Sequence, residues 1–581
     1  MLKKMCTKMS ISNNKMVHLL MLSQLMLSVA HCAIFKATGR PTHNPDAIWG
    51  QCEVQPLNPT WSVAPVGSSQ VPEVVDTALT CSMVNLEEER VGHITTPAAT
   101  RVASLSVACS EMYHYQRILS HQHLAGFINL QELTMEHCKI KHLKEDAFHS
   151  LGHLQSLVLR TRNFDWSEMK LKIDSAAFNS LKKLKSLDLS TNNIESIPLQ
   201  TMCQMHSLIT LNISYNVIQD MKNLGFSDIK NEIGENYCGS SLITLDISHN
   251  VISVVPSKIF SHFDKLQHLL LKHNEVINVE DDAFQGLSSL ITLDISSNLL
   301  VALPQGIFEH IPNIRHLRAG NNSLSVLPPH LFQGLELLQE LDLSYNNLHA
   351  DWRLSSLFQG LSNLQMLDLS HNKITVINQQ VFSSLTSVKV IHLNHNQLRS
   401  VPDNAFSSCI GLLHLDLSNN QLTSISDQSM SGLHNLKFLT LAHNNIDNVG
   451  ISAFSNLNQL QDLNLNSNQL RSIPSAISLL KNLETIDLGE NMITSLEDNP
   501  TKGLQNLYGL RLINNLISGH INKDSFVNIP SLKILNLAGN KISKIESNAF
   551  KNNSNLQAVR LDSNMLTSID NLFGDLSQLK W

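Results

Sequence analysis

Residues Leu290–Leu300 read LITLDISSNLL. An apolar residue is followed by two variable positions, an apolar-x-apolar triplet, two more variable positions, an asparagine and a closing x-apolar pair. The same grammar returns as LLQELDLSYNNL ending at Leu348, NLQMLDLSHNKI ending at Ile374 and GLLHLDLSNNQL ending at Leu422. Its asparagines are Asn192, Asn216, Asn250, Asn274, Asn298, Asn322, Asn346, Asn372, Asn396, Asn420, Asn444, Asn468, Asn491, Asn515, Asn540 and Asn564. Most spacings are 24 residues; the widest is the 34 between Asn216 and Asn250.

A period of this length with this pattern is a leucine-rich repeat. In each L-x-L the two leucines point to one face of a short strand and the x to the other. The asparagine comes where the chain must turn inside the coil, and its amide can bond backbone that no water reaches. Fourteen residues before the asparagine position stand Phe148, Phe178, Phe260, Phe284, Phe308, Phe332, Phe358, Phe382, Phe406, Phe454, Phe526 and Phe550, twelve of the 19 phenylalanines. A constant offset predicts a buried aromatic spine opposite the sheet. The expected fold is an α/β solenoid, a leucine-rich-repeat horseshoe. It has a parallel sheet on the concave face, about 18–19 repeats, an N-terminal cysteine cap and no C-terminal cap.

Residues 1–30 combine Lys3, Lys4, Lys8 and Lys15 with the apolar run Met16–Ala30, and Ser28-Val29-Ala30 suits cleavage. They read as a signal peptide, with Met9 or Met16 as other possible initiators. Residues 31–100 are proline-rich and lack the repeat, as expected of a cap region stapled by Cys52 and Cys81. Repeats occupy 101–581, with insertions near 163–177 and 217–241. No stretch approaches the roughly 20 apolar residues of a membrane helix.

Nine cysteines fit an exported chain with disulfides. Cys203 and Cys238 occupy nearly the same place on successive coils, so a bridge would pin the long insertion. Cys109 and Cys138 fall on adjacent coils but one residue out of register, which leaves bonded and reduced states open. Cys409 reads as a buried thiol, and the state of Cys32 is undetermined. Sequons stand at Asn212, Asn321 and Asn552.

A net charge of −7 over 581 residues does not imply nucleic-acid binding. No nucleophile elbow, phosphate loop or metal-protease motif is present in a supporting context, so no catalytic activity, cofactor or metal is expected. Aspartate takes the outward x position in seven of the sixteen copies, and the row reads as a solvated ladder that hydrogen-bonds locally. Five consecutive ones, Asp294, Arg318, Asp342, Asp368 and His392, form the candidate partner-binding face. Histidines precede the asparagine at His249, His273, His371, His395 and His443 and read as exposed filler. Acid titration or metal binding is the sharper alternative.

The early repeats carry motifs narrower than the consensus: EHCKI at 136–140, LRTRNFDW at 159–166 and the Cys203/Cys238 pair around IQDMKNLGF. LHADWRLSSLFQGL at 348–361, GENMI at 489–493, NLYGLRL at 506–512 and LQAVRLDSNMLTSI at 556–569 extend them. Over roughly residues 50–581 the chain resembles the ectodomain of Toll receptors, the long arthropod subfamily above all. The resemblance implies a cell-surface type I receptor with a cytoplasmic TIR domain, receptor dimerisation and a Spätzle-type cystine-knot cytokine as ligand. It implies roles in innate immunity and development. The membrane helix and TIR domain of that family are missing from this sequence, so recognition is what the chain itself is expected to supply. The alternative is a secreted repeat protein acting as decoy, adhesion or matrix component.

Overall fold

A computed structural model describes residues 52–56, 77–83, 99–109, 117–161, 170–226, 238–349, 357–496, 501–569, 572–574 and 576–580. The expected signal peptide, Cys32, the side chain of Cys52 and parts of both insertions lie outside them. The chain divides into two compact units, Met1–Cys52 and Glu53–Trp581. The second contains the repeats.

Among the described residues the main sheet has 21 strands, most of them only three residues long, such as Thr292–Asp294, His316–Arg318 and Glu340–Asp342. Each repeat strand pairs in parallel with the next in strict phase. Leu293 lies opposite Leu317, Leu317 opposite Leu341 and Leu341 opposite Leu367. A one-residue slip would turn every leucine out to water, so the apolar pattern fixes this register. The sheet starts before the regular repeats. Strand Thr77–Met83, within the expected cap region, pairs in parallel with Val102–Cys109.

After each strand the chain reverses, and the residue before the asparagine is left-handed in all sixteen copies, from Thr191 (φ 61°) to Ser563 (φ 57°), with Gly539 among them. The buried asparagine then joins two coils. Asn298 Nδ2 donates to Leu271 O one coil back and to Ile295 O in its own turn, both at 3.0 Å. Its Oδ1 accepts the N–H of Val276, also one coil back, at 3.0 Å. Copies along the solenoid repeat this set, giving a ladder of satisfied buried groups.

On the far side the backbone runs through successive tight turns. Leu287 N donates to Phe284 O and Leu290 N to Leu287 O. A three-residue step puts Phe284, Leu287 and Leu290 on one side, and all three are buried. Phe284, Phe308, Phe332, Phe358, Phe382 and Phe406 stack in sequence with centroids 5.4–6.3 Å apart. Where phenylalanine is missing, Met202, Met430 and Ile477 are buried in its place. Among the described residues this side holds turns and short 3-10 helices and no α-helix. Each buried large apolar side chain contributes about 1.5–3 kcal/mol, and the stack repeats that contribution coil after coil.

A second asparagine ladder stitches the outer turns. Asn313, Asn363, Asn435 and Asn482 each donate Nδ2 to a carbonyl one coil back, at 2.7–2.8 Å. The sequence reading missed it, although the shared position nine residues before the main asparagine was visible.

Candidate functional site on the sheet face

Parallel pairing sets the x residues side by side. Asp294 faces Arg318, Arg318 faces Asp342, Asp342 faces Asp368 and Asp368 faces His392. A second outward column, two residues earlier on each strand, contains Thr292, His316, Glu340, Met366 and Val390 in the same order. The candidate face is therefore a contiguous two-column surface.

Its polar groups hydrogen-bond locally. Asp342 Oδ1 accepts the backbone N–H of Ser344 at 2.9 Å and the Ser344 hydroxyl at 2.6 Å. Asp246, Asp294, Asp368, Asp416 and Asp487 likewise accept the N–H two residues on. Asn212, Asn464 and Asn536 do the same with their side-chain oxygens. These residues close the turn leaving the strand, an Asx turn repeated down the sheet. Asp294 is only 5% exposed, so it brings charge to the face and little contact surface.

Arg318 bridges columns. Its Nε and Nη2 donate to the two oxygens of Glu340 at 2.8 and 2.9 Å, and His316 Nδ1 lies 3.0 Å from the same carboxylate. Burial is the largest influence on the Glu340 carboxylate and disfavours it, but the bonds and charges of Arg318 and His316 together outweigh burial and hold its pKa below the ordinary value. The bond to Glu340 raises the pKa of Arg318. Asp342 goes the other way: burial, opposed by the Ser344 bonds and aided by Asp368, raises its pKa. The face is thus net acidic around one anchored guanidinium.

Two disulfides are present among the described residues, Cys109–Cys138 with Cα atoms 4.8 Å apart and Cys203–Cys238 at 4.5 Å. Cys81 is also disulfide-bonded, its partner lying outside the described residues. Cys409 is a buried free thiol. Of the sequon residues, Asn321 and Asn552 are exposed, and Asn212 is half-buried within its strand.

The histidines before the ladder asparagines are more than filler. Tyr215, His249 and His273 stack at 3.9 and 4.3 Å between centroids. Tyr345, His371 and His395 repeat the arrangement at 3.9 and 4.1 Å. The left-handed turn projects each ring sideways onto the next coil's equivalent. The sequence reading named these histidines, but neither their stacking nor the tyrosine that heads each stack.

A solenoid of parallel strands with an asparagine ladder and one polar sheet face defines the class, and the leucine rich repeat family pattern matches residues 169–218, 240–300, 275–324, 289–348, 355–398, 386–446, 439–493, 481–542 and 530–581. The chain belongs to the leucine-rich-repeat family. Within it, part of the chain is similar to Toll-like receptors. A stretch of 188 residues is 35% identical to Toll-like receptor 7 of Drosophila melanogaster, covering 32% of this chain and 13% of that receptor. The chain thus matches a small part of that relative's length. The solved Toll–Spätzle complex of Drosophila has a similar fold, with a TM-score of 0.59 and 21% identity over 87% of this chain and 68% of that one. The receptor of the TLR13–ssRNA13 complex follows at 0.51 and 20% over 87% of each. No described helix is long and apolar enough to cross a membrane.

Proposed function

We propose that this chain is the extracellular recognition region of a Toll-type signalling receptor, and that it takes a protein ligand on the sheet face. The contiguous face from Asp294 to His392 carries this reading. It offers an acidic surface around Arg318, held rigid by turn bonds, on which a basic protein would lose little side-chain entropy when it docks. Similarity to a Toll-like receptor and the Toll–Spätzle fold point to a dimeric cystine-knot cytokine as that ligand, with receptor pairing on binding. A full-length parent would stand at the cell surface.

The sheet itself suggests the variant to test. Asn212, Asn464 and Asn536 close their turns as aspartate does. The triple variant D294N/D342N/D368N therefore removes three charges and keeps the turns. Biolayer interferometry against a Spätzle-type dimer should show at least tenfold weaker binding with an unchanged melting temperature. Equal binding by variant and wild type would move the contact surface off this face. Binding of single-stranded RNA instead of the dimer would replace the protein-ligand reading.

A further inference from the structure

We propose that His392, His414 and Asp416 form a three-ligand site for a divalent zinc ion on the sheet face. One donor atom from each lies within 4.8 Å of the other two. Register brings them together. His392 lies opposite Asp416 on neighbouring parallel strands, and His414 is opposite Val390. His414 and Asp416, two residues apart on one strand, share a face.

The donor set suits the ion. Two imidazoles and one carboxylate with a fourth position open is a recurrent zinc arrangement, with bonds of about 2.0–2.2 Å. A tetrahedral ion separates its donors by roughly 3.3 Å, so each side chain has on the order of 1 Å to close. The rings have that freedom: neither His392 nor His414 makes a side-chain hydrogen bond among the described residues, and they meet edge-on at 5.4 Å. Asp416 is already oriented. Its Oδ1 accepts Ser418 N at 2.9 Å and Ser418 Oγ at 2.7 Å, which leaves the second oxygen for a metal.

The contrast with His316 is informative. That histidine occupies the same column four strands earlier, but there Glu340 engages both it and Arg318. At His414 the preceding strand supplies a second imidazole, His392, where at His316 it supplies Asp294. Among the described residues no other group of three histidine, cysteine or carboxylate donors converges in this way. The open fourth position faces solvent, where water or a donor from a docked protein can fill it.

Calorimetric titration of the chelator-treated chain with zinc chloride tests the site. The wild type should bind one equivalent with micromolar or tighter affinity, and saturating zinc should raise its melting temperature. H392Q/H414Q should lose that equivalent or weaken it at least tenfold, whereas H249Q/H273Q should keep it. Cobalt substitution should give the visible absorption of a tetrahedral site in the wild type, which supports the assignment even where a variant folds poorly. Absence of zinc binding in the wild type, or the same equivalent in a folded H392Q/H414Q, would overturn it. Zinc binding needs no protein ligand, so this result is separable from failure of the cytokine to bind.

Discussion

The side-chain oxygen of Asn372 accepts the backbone N–H of Leu348, 24 residues earlier and one coil back, at 3.0 Å. The same amide donates to Leu343 O at 3.0 Å and Leu369 O at 3.2 Å. One side chain thus satisfies buried backbone groups in two coils.

Asn372→Ala leaves those groups unpaired and should cost about 1–3 kcal/mol. Asp368, four residues away, closes a half-exposed turn through Ser370 N. Asp368→Asn should be near neutral, and Asp368→Ala should lose about 0.5–1.5 kcal/mol. Denaturant unfolding of the three variants checks the order, and equal losses for Asn372→Ala and Asp368→Ala would contradict it.

Phe332 is fully buried between Phe308 and Phe358, with centroids at 6.1 and 6.2 Å. Phe332→Ala opens a cavity and should cost about 3–5 kcal/mol. Because each repeat touches only its neighbours, the loss should be local. Hydrogen exchange should accelerate in the coils around Phe332 and stay unchanged near Asn192.

Burial pushes the Cys409 thiol up to about 12. At pH 8 the thiolate fraction is then on the order of one in ten thousand, so a thiol reagent should not label Cys409 in the native chain. Labelling by iodoacetamide should begin only where denaturant unfolds the coil. Rapid labelling of Cys409 in the native protein, located by peptide mapping, would show that the site opens.

Burial first, and the neighbouring ring second, lower the pKa of His249 and His371 below the ordinary 6.5. The folded state therefore binds fewer protons than the unfolded chain as pH falls through that value. Stability from the stacks is complete above about pH 6.5 and declines below it. A quadruple glutamine variant at His249, His273, His371 and His395 should show a smaller fall in melting temperature between pH 7 and pH 5 than the wild type.

The sequence on its own determined the repeat, the inward leucines, the asparagine ladder and the phenylalanine spine. Each is a residue type that recurs at a fixed offset because every coil solves the same burial problem. It also determined which residues form the outward row, since a strand's alternation leaves the x of L-x-L no other direction. Only the tertiary structure decided what those outward residues do to one another. Glu340 closes on Arg318 from a strand 22 residues away in the chain, and His414 approaches His392 diagonally across two strands. The Tyr215–His249–His273 stack likewise depends on a left-handed turn that projects sideways, which a periodicity of leucines does not encode. Burial repeats with the period and can be read from one coil. Contacts between variable positions depend on which side chains the register makes neighbours, and that needs the stacked coils.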